Sequence, residues 1–236
     1  MQSRSKNGLP IRHICCGQNY NCSEEGLNSQ KMHPTETYHN NRSWDVLLIG
    51  GSSGIGKTTI AYRLAQHYAV SLTLGDDLYR VVQQIATPEE HPILHYWSTH
   101  PEVQDWPPEQ ILELHLGVCR LMTPAFVSVA ASHLKHRRPI ILEGVYILPE
   151  VAASKVYEDI PGVTRARAVF LYEPEEQQIV RNLVTRKPHQ KEQNKRARVS
   201  WLFGQWLRDE CQRYGQTALP CRPWDNLLER IIEATI

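Results

Sequence analysis

From Trp44 onward, short apolar runs alternate along the chain with longer stretches whose apolar residues recur at helical spacing. Runs of four to seven residues that are apolar almost throughout are typical of parallel strands buried on both faces. Five such runs are present: Asp45–Gly50, Val70–Leu74, Pro139–Glu143, Ala166–Tyr172 and Thr217–Pro220. The pattern therefore predicts five short strands, the last being the least pronounced.

The stretches between these runs have the spacing of amphipathic helices. In Pro108–Lys135, for example, Ile111, Leu114, Val118 and Leu121 share one helical face. Similar patterns occupy Thr58–Tyr68, Glu175–Lys187 and Arg198–Tyr214. Alternating strands and helices predict an α/β fold, a three-layer sandwich whose parallel sheet is covered by helices on both faces. In such folds ligands bind at the carboxyl ends of the strands.

The first part of the chain has a different character. Residues 1–43 are rich in Asn, Ser, Gln and Gly and show no sustained period, which predicts a disordered leader. We expect the folded domain to occupy residues 44–236. Residues 87–138, between the second and third strands, are too many for an ordinary crossover and predict a helical insert.

Composition narrows the class of protein. The chain has 236 residues, with 26 Lys and Arg against 25 Asp and Glu, so a nucleic-acid partner would need a local basic groove. No continuous run approaches the roughly 18 apolar residues that cross a bilayer, and the N-terminal residues lack the apolar stretch of a signal peptide. We therefore expect one soluble, cytoplasmic domain with no membrane partner; the oligomeric state stays open.

A complete phosphate-binding motif follows the first apolar run. The sequence Gly51-Ser-Ser-Gly-Ile-Gly-Lys-Thr58 matches G-x-x-x-x-G-K-[ST] between a predicted strand and a predicted helix. Its glycines allow backbone amides to point at phosphate oxygens, and the helix start adds partial positive charge. The predicted nucleotide-binding residues are Gly51, Ser52, Ser53, Gly54, Ile55, Gly56, Lys57, Thr58 and Thr59.

The end of this motif also predicts roles for three side chains. Lys57 would reach the β- and γ-phosphates, Thr58 would offer its hydroxyl to Mg²⁺, and Thr59 would contact the α-phosphate. MgATP is accordingly the expected ligand.

Two carboxylates and a guanidinium follow the second apolar run. In Gly75-Asp-Asp-Leu-Tyr-Arg80, Asp76 and Asp77 would lie where that strand faces the phosphate loop. A carboxylate there can take the proton of an attacking hydroxyl, and Arg80 can neutralise charge on the transferring phosphoryl group. The alternative is that one or both aspartates only cap the next helix.

The third apolar run ends in an acid. Ile140-Ile-Leu-Glu143 has the form of a Walker B strand, whose carboxylate reaches Mg²⁺ directly or through water. Four apolar residues before an acid also occur in other buried strands, so this motif by itself is weak.

These motifs resemble a known group of enzymes. Lys57 followed about twenty residues later by Asp77-Leu-Tyr-Arg80 looks like the D-x-x-R signature of polynucleotide 5′-kinases, zeta-toxin-like kinases and 2-phosphoglycerate kinase-like proteins. Beginning at Asp76, the same segment is similar to the one that carries the catalytic aspartate of uridine kinase-like enzymes. The D-x-x-R spacing favours Asp77 as the base, with Asp76 as the alternative.

Two later segments extend the resemblance. Arg181, Arg186 and the basic residues up to Arg198 are similar in position to the lid of adenylate-kinase-like enzymes, so the resemblance implies a lid at 181–200 with Arg186 in a catalytic role. Near the end, Arg222 lies where such kinases pack a loop residue on adenine. Both segments would otherwise be solvated charged surface or the start of a helix.

The resemblance implies a P-loop kinase fold with strand order 2-3-1-4-5 and an insert at 87–138 that recognises the acceptor. The implied function is transfer of the γ-phosphoryl group of MgATP to a hydroxyl of a small molecule, such as a 2-phosphoglycerate-, sugar- or nucleoside-like compound. A polynucleotide 5′-hydroxyl kinase is the alternative within enzymes. A nucleotide-dependent regulatory ATPase that binds a protein partner is the alternative from another class.

Overall fold

A five-stranded parallel sheet forms the centre of the computed structural model, which describes residues 42–160 and 165–236. Its strand order is β2-β3-β1-β4-β5, and every neighbouring pair is parallel. The strands are β1 (Val46–Gly51), β2 (Ser71–Leu74), β3 (Ile140–Glu143), β4 (Ala166–Tyr172) and β5 (Thr217–Pro220). The predicted fold class and strand order are confirmed.

Helices cover both faces of the sheet. They are α1 (Lys57–Tyr68), α2 (Gly75–Ile85), α3 (Pro92–Thr99), α4 (Pro108–His136), α5 (Pro149–Ala152), α6 (Glu176–Arg186), α7 (Gln193–Arg213) and α8 (Leu227–Thr235). Short 3-10 helices lie at Pro101–Asp105 and Lys155–Tyr157.

Helix α7 begins at Gln193, earlier than the apolar periodicity from Arg198 predicts. The Gln193 side chain is buried, and its Nε2 donates a 2.8 Å hydrogen bond to the carbonyl oxygen of Lys187. A buried polar contact therefore fixes the helix start, and hydrophobic spacing gives no sign of it. As a result, part of the basic stretch lies on the first turns of α7.

The hydrophobic core has two parts, one on each face of the sheet. Because successive side chains of a strand point to opposite faces, Val46 and Leu48 pack toward α4, whereas Leu47 and Ile49 pack toward α1 and α8. All four are fully buried. A central strand enclosed on both sides holds the phosphate loop that follows it on a rigid base.

Helix α4 is long and apolar enough, by length and composition, to cross a membrane, and it is the one such helix in residues 42–160 and 165–236. Its buried residues, including Cys119, Met122 and Phe126, belong to the core on one face of the sheet. A core helix passes the same test of length and composition.

The predicted leader, residues 1–43, lies outside the described part of the chain except for its last two residues. The described residues belong to one structural unit, Thr37–Ile236. Within it, residues 87–138 contain α3, the 3-10 helix at Pro101–Asp105 and α4, which connect the α2 side of the sheet to β3.

Strands β2 and β3 approach each other very closely at their carboxyl ends. A methyl group added at Gly144 would lie 3.0 Å from the Cα atom of Gly75, and one added at Gly75 would lie 2.9 Å from the Phe126 ring. Such distances leave no room for a side chain at either position. The two glycines therefore bring the start of α2, with Asp76, next to the end of β3, with Glu143.

Candidate functional site

The phosphate loop runs from the end of β1 into the first turn of α1. Gly54 and Gly56 have φ angles of 78° and 91°, in the left-handed region that glycine adopts without strain. A methyl group at Gly56 would also lie 2.5 Å from the Trp224 ring, and one at Gly54 would lie 2.9 Å from Leu183. Both glycines are therefore required by conformation and by space.

Lys57 and Glu143 form a buried charged pair beside this loop. The Nζ atom of Lys57 donates a 2.8 Å hydrogen bond to the carbonyl oxygen of Ser52 and lies 3.7 Å from Oε1 of Glu143. Burial lowers the pKa of the Lys57 ammonium, and the negative charge of Glu143 opposes that shift. The Glu143 carboxylate thus favours the charged form of Lys57 at the position where the motif places it for phosphate.

Thr58 and Glu143 bring together two side-chain oxygen atoms of the kind that bind hard metal ions. Oγ1 of Thr58 donates a 3.0 Å hydrogen bond to Oε2 of Glu143. Within the described residues no group of three or more His, Cys, Asp or Glu side chains could hold a metal ion by itself. This donor set fits Mg²⁺, which takes few protein oxygens and completes its shell with substrate phosphates and water.

Two helices from the second half of the chain hold the tip of the phosphate loop. Nδ2 of Asn182, on α6, donates a 2.8 Å hydrogen bond to the carbonyl oxygen of Gly54, and Oγ of Ser200, on α7, donates a short one to that of Ser53. Because these carbonyls are held from the outside, the loop's amide groups are left free to face the ligand. Sequence reasoning missed both residues, since no motif marks a contact made across such separations.

Asp76 and Asp77 occupy different positions at the start of α2. Both are exposed, but Asp76 lines the cavity over the phosphate loop, whereas Asp77 is not among the residues that line it. Asp76 is also close enough to Lys57 for its charge to raise the lysine pKa. The geometry favours Asp76 over Asp77, although the D-x-x-R spacing favours Asp77.

Arg80 lies one turn further along α2 and does not line the cavity. Its guanidinium donates a 3.3 Å hydrogen bond to Oε1 of Gln83 and lies 5.9 Å from the centre of the Tyr79 ring. Tyr79 in turn donates a 3.0 Å hydrogen bond to the carbonyl oxygen of Leu94, which ties α2 to α3. In this conformation the Arg80 side chain lies on the exposed surface of α2.

The arginines of the predicted lid differ in their surroundings. Arg181 and Arg198 are paired with carboxylates, at 3.8 Å from Glu175 and 2.9 Å from Glu176 respectively. Arg186 instead lines the phosphate cavity from the end of α6. Of the lid arginines, Arg186 is therefore the one placed to contact a bound nucleotide.

Arg222 and Trp224 close the other side of the cavity. Nε of Arg222 lies 3.4 Å from the buried carboxylate of Glu173, and the Trp224 ring packs over Gly56. An aromatic ring and a guanidinium plane at a cavity wall are both suited to stacking on a base. The sequence indicated Arg222 but not Trp224, although the tryptophan is only two residues away.

These groups surround one cavity of about 600 Å³. The residues that line it include Ser53, Gly54, Ile55, Gly56, Lys57, Thr58, Thr59, Asp76, Glu143, Arg186 and Arg222. Gly51, the last residue of β1, and Ser52, which follows it, are buried and are not among the residues that line the cavity. The arrangement can hold a chain of phosphates along the loop, with a carboxylate on the far side.

Sequence comparison finds relatives that are kinases. The chain is 28% identical over 127 residues to 2-phosphoglycerate kinase of Methanococcus maripaludis strain C5, covering 50% of this chain and 40% of that protein. It is 24% identical over 135 residues to mevalonate-3-phosphate 5-kinase of Thermoplasma acidophilum, covering 52% of this chain and 65% of that protein. The chain thus spans less than half the length of the first of these relatives. No protein-family model matches.

The fold is also similar to that of a solved structure. A gluconokinase from Sinorhizobium meliloti 1021 superposes with a TM-score of 0.51 over 83% of this chain and 93% of its own, at 16% sequence identity. At that identity the likeness concerns the fold. The phosphate loop and the strand order are those of the P-loop kinase fold, and the sequence relatives named above are kinases.

Proposed function

We propose that this protein transfers the γ-phosphoryl group of MgATP to a hydroxyl group of a small molecule. The observation that carries the proposal is the convergence of Lys57, Thr58, Glu143 and Asp76 on one cavity above the phosphate loop. A protein that only bound a nucleotide would need Lys57, Thr58 and Glu143, but not Asp76. The fourth, an exposed carboxylate opposite the phosphates, is what an acceptor hydroxyl requires.

In the proposed reaction, the acceptor oxygen attacks the γ-phosphorus while its proton passes to the Asp76 carboxylate. The bond between the γ-phosphorus and the β–γ bridging oxygen breaks, and ADP leaves. Lys57, the loop amides and Arg186 stabilise the negative charge on the transferring group. Mg²⁺, when bound beside Thr58 and Glu143, neutralises charge on the β- and γ-phosphates.

We propose ATP as the donor because Trp224 and Arg222 provide two flat surfaces for a purine at the far end of the cavity. The named relatives act on 2-phosphoglycerate and mevalonate 3-phosphate, which are small hydroxyl compounds. A small acceptor is thus favoured over a polynucleotide. The 26 basic and 25 acidic residues also give the chain almost no overall positive charge with which to attract a polynucleotide. We place the enzyme in the cytoplasm, where ATP is available.

The test is mass-spectrometric detection of a phosphorylated product after incubation with MgATP and a panel of acceptors. The panel contains 2-phosphoglycerate, other glycerate derivatives, sugars, nucleosides and 5′-hydroxyl oligonucleotides. We expect one class of small molecule to gain a single phosphate, and the product to disappear in Lys57→Ala. A phosphorylated oligonucleotide would replace the proposal with polynucleotide kinase activity. Hydrolysis of ATP that needs no acceptor and survives Asp76→Asn would favour a regulatory ATPase.

A further inference from the structure

A second cavity, of about 480 Å³, lies on the other side of the phosphate loop tip. Its walls come from α3, α4 and the first turns of α7, with Trp97, Ile111, His115 and Phe203 among the residues that line it. Its volume is within the range of small-molecule sites. Of the residues assigned above to nucleotide or metal binding, Ser53 alone lines this cavity.

The second cavity adjoins the place where a γ-phosphate would lie. Ser53 and Val145 line both cavities, so the two meet beside the loop tip. Lys57, which the motif assigns to the β- and γ-phosphates, has its Nζ atom 2.8 Å from the carbonyl oxygen of the neighbouring Ser52. The second cavity therefore meets the first beside the part of the loop that the motif assigns to the terminal phosphates.

Three cations of the lid line the second cavity: Lys191, Lys195 and Arg196. The cavity has one acidic lining residue, Glu192. Unlike Arg181 and Arg198, these three cations have no carboxylate within 4.0 Å in residues 42–160 and 165–236. Three unpaired cations of the lid therefore line the second cavity, whereas Lys187, which also has no ion pair among the described residues, lines neither cavity.

The unpaired charge is held in place. Nζ of Lys195 donates a 2.8 Å hydrogen bond to the carbonyl oxygen of Gln104, which joins the lid to the segment between α3 and α4. Arg196 is half-buried and donates to Oε1 of Gln193 at 3.3 Å. Burial, and then the nearby charge of Arg186, lower the pKa of its guanidinium. Because these positive charges are close together and partly removed from water, an anion bound beside them would be stabilised.

The opposite wall is uncharged. His115 packs edge-on against Phe203 with ring centres 4.9 Å apart, and burial lowers its pKa to about 4, so the imidazole is neutral near pH 7. Together with Trp97 and Ile111 it gives the cavity one apolar side and one cationic side. A ligand that fits both has a short carbon skeleton and a fixed negative charge at one end.

We propose that the second cavity is the acceptor site, and that the acceptor carries a carboxylate or phosphate bound by Lys191 and Arg196, with its hydroxyl reaching past Ser53 and Val145 into the first cavity, which Asp76 lines. This inference rests on the proposed kinase function and narrows its acceptor to anionic hydroxyl compounds. Neutral sugars and nucleosides are then excluded because they leave the two cations unpaired. Lys195 holds the lid against the segment between α3 and α4.

The test is calorimetric titration of the protein saturated with Mg²⁺ and a non-hydrolysable ATP analogue, which keeps anionic probes off the phosphate loop. The probes are 2-phosphoglycerate, glycerate, glycerol 3-phosphate and glycerol. We expect at least one anionic probe to bind, with glycerol at least about tenfold weaker. Glycerate and glycerol 3-phosphate separate a carboxylate from a phosphate requirement.

Matched variants locate the site. We expect Arg196→Gln and Lys191→Gln each to weaken the anionic probe about tenfold, and Arg181→Gln and Arg198→Gln, whose guanidiniums are already paired, to leave it unchanged. Equal affinity for glycerol, no binding of any anionic probe, or wild-type affinity in Arg196→Gln and Lys191→Gln would overturn the inference. Failure of the ATP analogue itself to bind would instead overturn the proposed function.

Discussion

Thr58 and Glu143, which are 85 positions apart in the chain, are joined by a 3.0 Å hydrogen bond from the threonine hydroxyl to the carboxylate. One residue comes from the phosphate loop and the other from the end of β3, the neighbour of β1 in the sheet. The parallel register aligns Ile49 of β1 with Glu143, so the two groups arrive at the same edge. We propose that a magnesium ion binds beside this contact.

Glu143→Gln should reduce phosphoryl transfer by about a hundredfold or more, because it removes both the carboxylate oxygen for Mg²⁺ and the counterion of Lys57. The measurement is kcat at increasing Mg²⁺ concentration, with Glu176→Gln as the surface control. Activity restored fully by extra Mg²⁺ would mean that the carboxylate acts only in metal affinity. Unchanged activity would remove Glu143 from the site.

Asp76→Asn and Asp77→Asn should differ in their effects. Since Asp76 lines the cavity and Asp77 does not, we expect the first to lower kcat by about a hundredfold or more with little change in ATP affinity. The second should retain most of the activity. Comparing kcat and the dissociation constant of ATP for both variants decides between the geometry and the D-x-x-R spacing; the reverse order would restore Asp77 as the base.

Trp224→Ala should weaken ATP binding by about tenfold through loss of stacking on the base. Binding of inorganic tripolyphosphate, which has no base, should change little. Fluorescence or calorimetric titration with both ligands makes the comparison. If tripolyphosphate is weakened equally, then Trp224 acts by packing on Gly56 and shaping the loop.

Asn182→Ala should raise KM for ATP several-fold, because the 2.8 Å bond to the Gly54 carbonyl holds the loop tip from outside. A lost hydrogen bond of this kind is worth about 1 kcal/mol. Steady-state kinetics should show kcat reduced less than KM is raised, and the Tm should fall by only a few degrees. A change in Tm with unaltered KM would assign Asn182 to stability alone.

His115 should make the folded state less stable in mild acid. Its pKa is lowered to about 4 in the fold against about 6.5 in an unfolded chain, so between these values the unfolded state binds the additional proton. Stability therefore falls as pH drops from about 6.5 to about 4, by on the order of 1–3 kcal/mol. Urea unfolding of the protein and of His115→Gln at several pH values measures how much of the pH dependence comes from His115. The same dependence of the free energy of unfolding on pH in both proteins would contradict the prediction.

The phosphate loop, the five strands and their alternation with helices were determined by the sequence by itself. Each depends on local information: a contiguous motif, an apolar run, or a spacing of three to four residues. The roles expected of Lys57, Thr58 and Glu143 follow from the same information. Strand order also came from the sequence, through a resemblance to a family.

Only the tertiary structure decided which polar residues face a cavity. The close approach of Gly75 and Gly144 brings the start of α2 next to the end of β3, and Asp76 lines the cavity there. Arg181 and Arg198 form ion pairs with nearby acids, whereas Arg196 has none within the described residues and lines the second cavity. Asn182 and Ser200 reach the loop from 128 and 147 positions away. Such choices depend on packing between segments distant in the chain, where hydrophobic pattern and local spacing carry no information.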